Sequence, residues 1–109
     1  MSLTKTRFDS YSSAAQEDRC APRRVIQIPA ILRPTSEHGY GVEVVDISVA
    51  GFSCRVVTRT PVGTRCWITL PGLSGLQSEV VWNNGTMVGC SFTNLLNAAV
   101  LDHLLSKFE

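Results

Sequence analysis

At 109 residues the chain has the length of one ordinary domain rather than two. Hydrophobic residues make up 44% and charged residues 17%, which supplies enough apolar surface for a core and too little charge for a wholly disordered chain. The formal charge of +1 excludes a polycation that coats nucleic acid or membrane through net charge alone.

The basic residues are eight Arg against two Lys. The planar Arg fork fits phosphate and carboxylate, so this bias hints at specific anion recognition, although a GC-rich genome produces it too. No run of 18 apolar residues exists, so no membrane span is expected. The first 18 residues lack the basic-then-apolar pattern of a secretion signal, and a reducing, cytoplasmic setting is expected. Cys20, Cys54, Cys66 and Cys90 contain no CxxC pair, which argues against structural zinc. They read as small buried hydrophobes.

In chain order, residues 1–18 are polar and aperiodic and read as a flexible arm preceding a domain over 19–109. Val25–Leu32 carries one apolar face of Ile26, Ile28, Ala30 and Leu32, with Pro29 on the other face, which suggests a strand edge or a bulge. Glu37–Gly41 reads as a turn and Val42–Ile47 as a second strand. Gly51 opens a third, in which Phe52, Cys54 and Val56 alternate with Ser53, Arg55 and Val57. Turns at Thr60–Gly63 and Pro71–Gly75 bracket a strand with Cys66, Ile68 and Leu70 facing inward. Leu76–Trp82 and Thr86–Phe92 form a hairpin, because Asn84-Gly85 supplies the positive φ a tight connection needs. Leu101, Leu104, Leu105 and Phe108 then fall at helical spacing, with Asn94 or Asn97 as N-cap. About six short antiparallel strands and one terminal amphipathic helix argue a small barrel or sandwich.

No catalytic constellation stands out. His38 lies in a turn and His103 on the terminal helix, neither beside a nucleophile in sequence, and no phosphate-binding GxxxxGK[ST] loop occurs. The chain does not read as an enzyme, and neither a metal nor a cofactor is expected.

Two short segments carry the functional signal. Arg19-Cys20-Ala21-Pro22-Arg23-Arg24 is a cationic, loop-like stretch before the first strand. Asp46-Ile47-Ser48-Val49-Ala50-Gly51 lies where the second and third strands meet. Asp46 and Ser48, two apart on an extended backbone, point the same way. Gly51 permits a turn or a close ligand approach.

The pair, in this order and in this strand context, resembles the PilZ domain family, whose signature is RxxxR before the first strand followed by [D/N]xSxxG. Arg19 and Arg23 match the first element, and Asp46, Ser48 and Gly51 the second. Glu79–Trp82, Val88–Phe92 and the Leu-rich helix look like the family's C-terminal half. Asp18 stands where many members carry a further Arg, Cys20 interrupts the usual Arg doublet, and Arg24 adds a second Arg beside Arg23.

The resemblance implies an all-β fold: a small six-stranded antiparallel β-barrel with a C-terminal α-helix. It implies a receptor for the bacterial second messenger cyclic di-GMP. Arg19, Arg23 and Arg24 would reach phosphate oxygens or the guanine edge, Asp46 would accept from guanine N1–H and N2–H₂, Ser48 would bond beside it, and Gly51 would let the backbone approach. The N-terminal loop would rearrange on binding and relay the signal to an unidentified effector protein. The alternative is a PilZ-like adaptor that binds a protein partner without nucleotide. A single-strand DNA or RNA binder is disfavoured, because aromatics are only 7% and form no stacking motif.

Overall fold

Strict alternation builds the wall of the fold. In β1 (Arg24–Pro34) every second residue from Ile26 to Pro34 is buried and the intervening ones are exposed. The same two-residue period puts Cys66 and Ile68 of β4 (Arg65–Thr69) inside, with Leu70 just beyond the strand. Residues 23–108 are described by the structure, a computed structural model.

The other strands are β2 (Tyr40–Ile47), β3 (Gly51–Arg55), β5 (Leu76–Asn83) and β6 (Met87–Phe92). They close into an antiparallel barrel in the order β1-β2-β3-β6-β5-β4, which leaves no open sheet edge along the paired residues. The single helix among the described residues is α1 (Ala98–Ser106). The expected six-stranded barrel with a C-terminal helix is the fold.

The interior is filled by Ile28, Leu32, Val44, Ile47, Phe52, Ile68, Val80 and Val88, all fully buried. Each such side chain contributes about 1.5–3 kcal/mol through burial. Phe52 and Phe92 meet with ring centroids 5.4 Å apart and planes tilted by 40°. Leu101, Leu104 and Leu105 of α1 join the same cluster. Asn97 caps the helix from a β-region conformation, its Oδ1 accepting from the N–H groups of Ala99 at 2.8 Å and Val100 at 3.3 Å. Of the two candidate caps, Asn97 is the one used.

Pro29 is tolerated because β1 pairs with β4 only from Ile31 onward, so one side of Pro29 has no ladder partner. Several boundaries differ from the alternation reading, β1 among them, which runs from Arg24 to Pro34. β2 starts at Tyr40, because Tyr40 and Gly41 already pair with Leu32 and Ile31. β3 stops at Arg55, so Val57 is an exposed loop residue. β5 runs on to Asn83 and β6 starts at Met87, so the three-residue connection, expected at residues 83–85, is residues 84–86. Gly85 takes φ +103°, and the side-chain oxygens of Asn83 and Asn84 accept from the backbone of Gly85, Thr86 and Met87.

Two register shifts position the site. Across β2 and β3, Val44 pairs with Cys54 but Asp46 pairs with Ser53, so β2 carries one extra residue. Across β5 and β6, Val80 pairs with Cys90 but Trp82 pairs with Gly89, an extra residue in β5. Without these bulges Asp46 would share the inward face of Val44, and Trp82 that of Val80. A bulge re-aims the side chains that follow it.

Candidate functional site

Arg23 is the residue just before β1, and its neighbour Val25 pairs with Asp46 on β2. The Arg23 guanidinium donates from Nη1 to Asp46 Oδ1, joining the two sequence segments in one ion pair. Both side chains are partly exposed, at 34% and 24%, so solvent screens the pair and its contribution to stability is about 0–1 kcal/mol. Arg24, the first residue of β1, is exposed and pairs with Ile47. Arg19 lies outside the described residues, as does the expected arm over residues 1–18.

The corner between β2 and β3 is tightly wound. The Ser48 N–H donates to the Gly51 carbonyl at 2.8 Å, and Ser48 Oγ accepts from the Ala50 N–H at 3.1 Å. Ser48 is fully buried. The expectation that Asp46 and Ser48 point the same way is corrected here. The strand ends at Ile47, so the two-residue period stops before Ser48, whose side chain turns into the corner while Asp46 stays at the surface. Gly51 has its reason within the barrel: a Cβ there would stand 2.1 Å from the Cys90 carbonyl oxygen on β6.

The outer face carries a transverse row that alternation alone did not reveal. Asp46 of β2 pairs with Ser53 of β3, Ser53 with Gly89 of β6, and Gly89 with Trp82 of β5. Ser53 and Gly89 point outward because their neighbours Phe52, Cys54, Val88 and Cys90 all point in. A Cβ on Gly89 would lie 2.0 Å from Trp82 Nε1, 2.3 Å from Cε2 and 2.7 Å from Cδ1. The indole therefore lies with one ring face on the Gly89 backbone, and Trp82 remains 39% exposed.

Cys54, Cys66 and Cys90 are free thiols inside the barrel; Cys20 lies outside the described residues. Burial, reinforced by Cys66, pushes the Cys54 thiol up to about 12. Cys90 is held protonated well above the ordinary thiol range, by a hydrogen bond with Cys66 and by burial. Among the described residues no cluster of three His, Cys, Asp or Glu side chains suits a metal ion. No helix among them is long and apolar enough to cross a membrane. A separate open groove of about 880 Å³, lined by Pro29, Ile31, Glu43, Arg55, Val57 and Leu73, contains neither Asp46 nor Ser48.

The family model for the PilZ domain matches residues 17–107, spanning both sequence segments, the whole barrel and the helix. The chain belongs to the PilZ domain family. PilZ domains are known generally as cyclic di-GMP binding and adaptor domains rather than enzymes. Among solved structures, the chain is similar to the PilZ domain of CeSA from a cellulose-synthesizing bacterium, with a TM-score of 0.56 and 12% identity over 80% of this chain and 93% of that one. At that identity the likeness concerns the fold. A search of the curated proteins finds no match.

Proposed function

We propose that this PilZ domain binds cyclic di-GMP between the cationic segment Arg19–Arg24 and the corner Asp46–Gly51, and passes the signal to a partner protein by rearranging its N-terminal loop. The observation that supports this reading is the Arg23–Asp46 ion pair, which joins the RxxxR and DxSxxG segments across 23 positions of sequence.

Cyclic di-GMP carries two phosphates and two guanines, and the ion pair presents a partner for each. A guanine can offer N1–H and N2–H₂ to the Asp46 carboxylate, and Arg23 is then released to a phosphate oxygen. One charge-assisted bond is exchanged for three. Each contributes about 1.5–3 kcal/mol. Three or four of them, less the cost of ordering the loop, correspond to about micromolar affinity. Arg19 and Arg24 act as further phosphate or base contacts in this scheme. Because Arg23 changes partner, the chain before β1 is re-aimed, and that movement alters the surface offered to an effector.

One observation favours the adaptor reading. Ser48 and Gly51 already serve the barrel, through the corner hydrogen bonds and the close approach to Cys90. A chain that keeps them for that reason alone needs no nucleotide. Calorimetric titration with cyclic di-GMP separates the two: saturable heat at tens of micromolar protein supports the receptor, and no heat under those conditions supports the adaptor.

A further inference from the structure

We infer that the open apolar groove beside β1 and β2 is the seat of this chain's own N-terminal segment, with Phe8 and Tyr11 as the anchoring side chains. The seat does not depend on the nucleotide binding proposed above. In the groove, Ile31 of β1 faces Gly41 of β2 across the ladder, and Leu73 and Val57 stand in the loops that follow β4 and β3. Ile31 is 47% exposed and Val57 85%. A Cβ at Gly41 would meet nothing within 4 Å, so the space above the strand is open there. The volume of about 880 Å³ has room for two aromatic side chains. An exposed apolar hollow of this kind marks a binding surface.

The chain itself supplies the occupant. Phe8 and Tyr11, which lie outside the described residues, are the two aromatics among the 22 residues before Arg23. Arg23 stands at the head of β1 and is tied to Asp46. Asp46 is three residues from Glu43 along β2, about 10 Å, and Glu43 lines the groove. The segment therefore leaves the barrel close to its seat. Arg23 and Ile31 are eight residues apart, about 26 Å along the strand. The twelve residues from Tyr11 to Arg23 span up to about 40 Å. Phe8 and Tyr11 thus reach the groove without a fully extended chain. A short tether also holds its segment at an effective concentration of about millimolar, so the chain's own segment wins over a free peptide of equal fit.

Charge agrees with this occupant. Glu43 and Arg55 form an exposed ion pair at the groove, Arg55 Nε donating to Glu43 Oε1 at 3.3 Å. Phe8 stands between Arg7 and Asp9. One basic and one acidic residue of the segment meet one acidic and one basic residue of the seat, and the four can pair crosswise. A second copy of the chain suits the groove less well, because this single hollow falls far short of the about 800 Å² per partner that a stable dimer buries. The contact is autoinhibitory: while the segment is seated, a partner that uses this apolar surface has to displace it.

The test is nuclear magnetic resonance on the full chain at two protein concentrations. The forms compared are wild type, the double variant Phe8→Ala with Tyr11→Ala, Gly41→Val and Val57→Asp. Wild type is expected to show nuclear Overhauser contacts from the Phe8 and Tyr11 rings to the methyl groups of Ile31 and Leu73. The double variant is expected to shift the amides of residues 29–31, 41–43 and 55–57. Gly41→Val fills the groove from within the strand, since Gly41 takes no positive φ and nothing crowds it. Val57→Asp sets a charge on the apolar lining. Each of these two is expected to abolish the ring contacts. Wild type without the contacts, contacts that survive in both groove variants, or a double variant whose groove amides coincide with wild type overturns the seat. Contacts that fade on dilution assign the groove to a second copy and also overturn it. Should Gly41→Val not fold, Val57→Asp, at an exposed loop position, decides the same question.

Discussion

Asp46 of β2 and Trp82 of β5 stand at the two ends of one transverse row across the barrel wall, with Ser53 of β3 and Gly89 of β6 between them, and each is turned outward by one extra residue in its strand. Neither is where a regular strand would put it. Asp46 has the parity of Val44 and Trp82 that of Val80, both fully buried. A buried, unpaired carboxylate would cost several kcal/mol. The bulges therefore remove a penalty and bring both side chains to the outside of the wall.

Replacing Arg19 and Arg23 together by Ala is expected to abolish cyclic di-GMP binding with little change in melting temperature. Arg23 precedes the barrel wall, and its ion pair is screened by solvent. A shift of no more than a few degrees corresponds to the loss of about 0–1 kcal/mol in a domain of this size. Binding that survives in the double variant contradicts the role given to the cationic segment. Calorimetry and thermal melting read the two quantities on the same samples.

Asp46→Ala is expected to erase the preference for guanine over adenine dinucleotides while keeping part of the phosphate attraction. The carboxylate is the group that accepts from guanine N1–H and N2–H₂, donors that adenine does not present in that pattern. Competition between cyclic di-GMP and cyclic di-AMP measures it, and an unchanged preference counts against the assignment.

Gly51→Ala is expected to damage stability before it damages recognition. The added Cβ would meet the Cys90 carbonyl oxygen at 2.1 Å, and the obstacle is backbone rather than a movable side chain. Overpacking of this kind costs about 1–3 kcal/mol, a fall in melting temperature of at least about 5 °C. A variant that melts like wild type would show that β3 and β6 can separate at that point.

The interior thiols give a pH dependence with a definite sign. An ordinary thiol loses its proton near pH 9, whereas Cys54 in the folded chain keeps it to about 12. Between these values the folded form binds one more proton than the unfolded form, so stability falls as pH rises. The slope is about 1.4 kcal/mol per pH unit for one such group. Below pH 9 both forms hold the proton and this contribution is flat. Thermal melts at pH 8, 9 and 10 are expected to show the decline, and Cys54→Ala to show a shallower one. Equal slopes in the two proteins would contradict it.

The barrel was largely legible in the sequence because its strands obey a two-residue period where the wall is regular. Ile26, Ile28, Ala30 and Leu32 mark β1, Cys66, Ile68 and Leu70 mark β4, and the change to helical spacing after Asn97 marks α1. The candidate site was legible only as a pair of motifs. The register shifts that aim Asp46 and Trp82 break the period, so a pattern reader passes over them. The one trace is the three-residue step between the buried Val44 and Ile47. Gly89 and Trp82 carry no local signal of their contact, since the pairing that joins them is set by the hairpin register. Gly39 and Gly41 give the segment around Tyr40 the look of a turn, yet nothing crowds Gly41 and it fits a strand facing Ile31.

The most direct measurement is a calorimetric titration of cyclic di-GMP into the wild-type chain, Arg23→Ala and Asp46→Ala at matched salt. The account predicts a saturable, micromolar-range isotherm for wild type and affinities at least about tenfold weaker in each variant, the loss of one charge-assisted contact. Two variants that bind as tightly as wild type would show that the ligand is held elsewhere on the barrel.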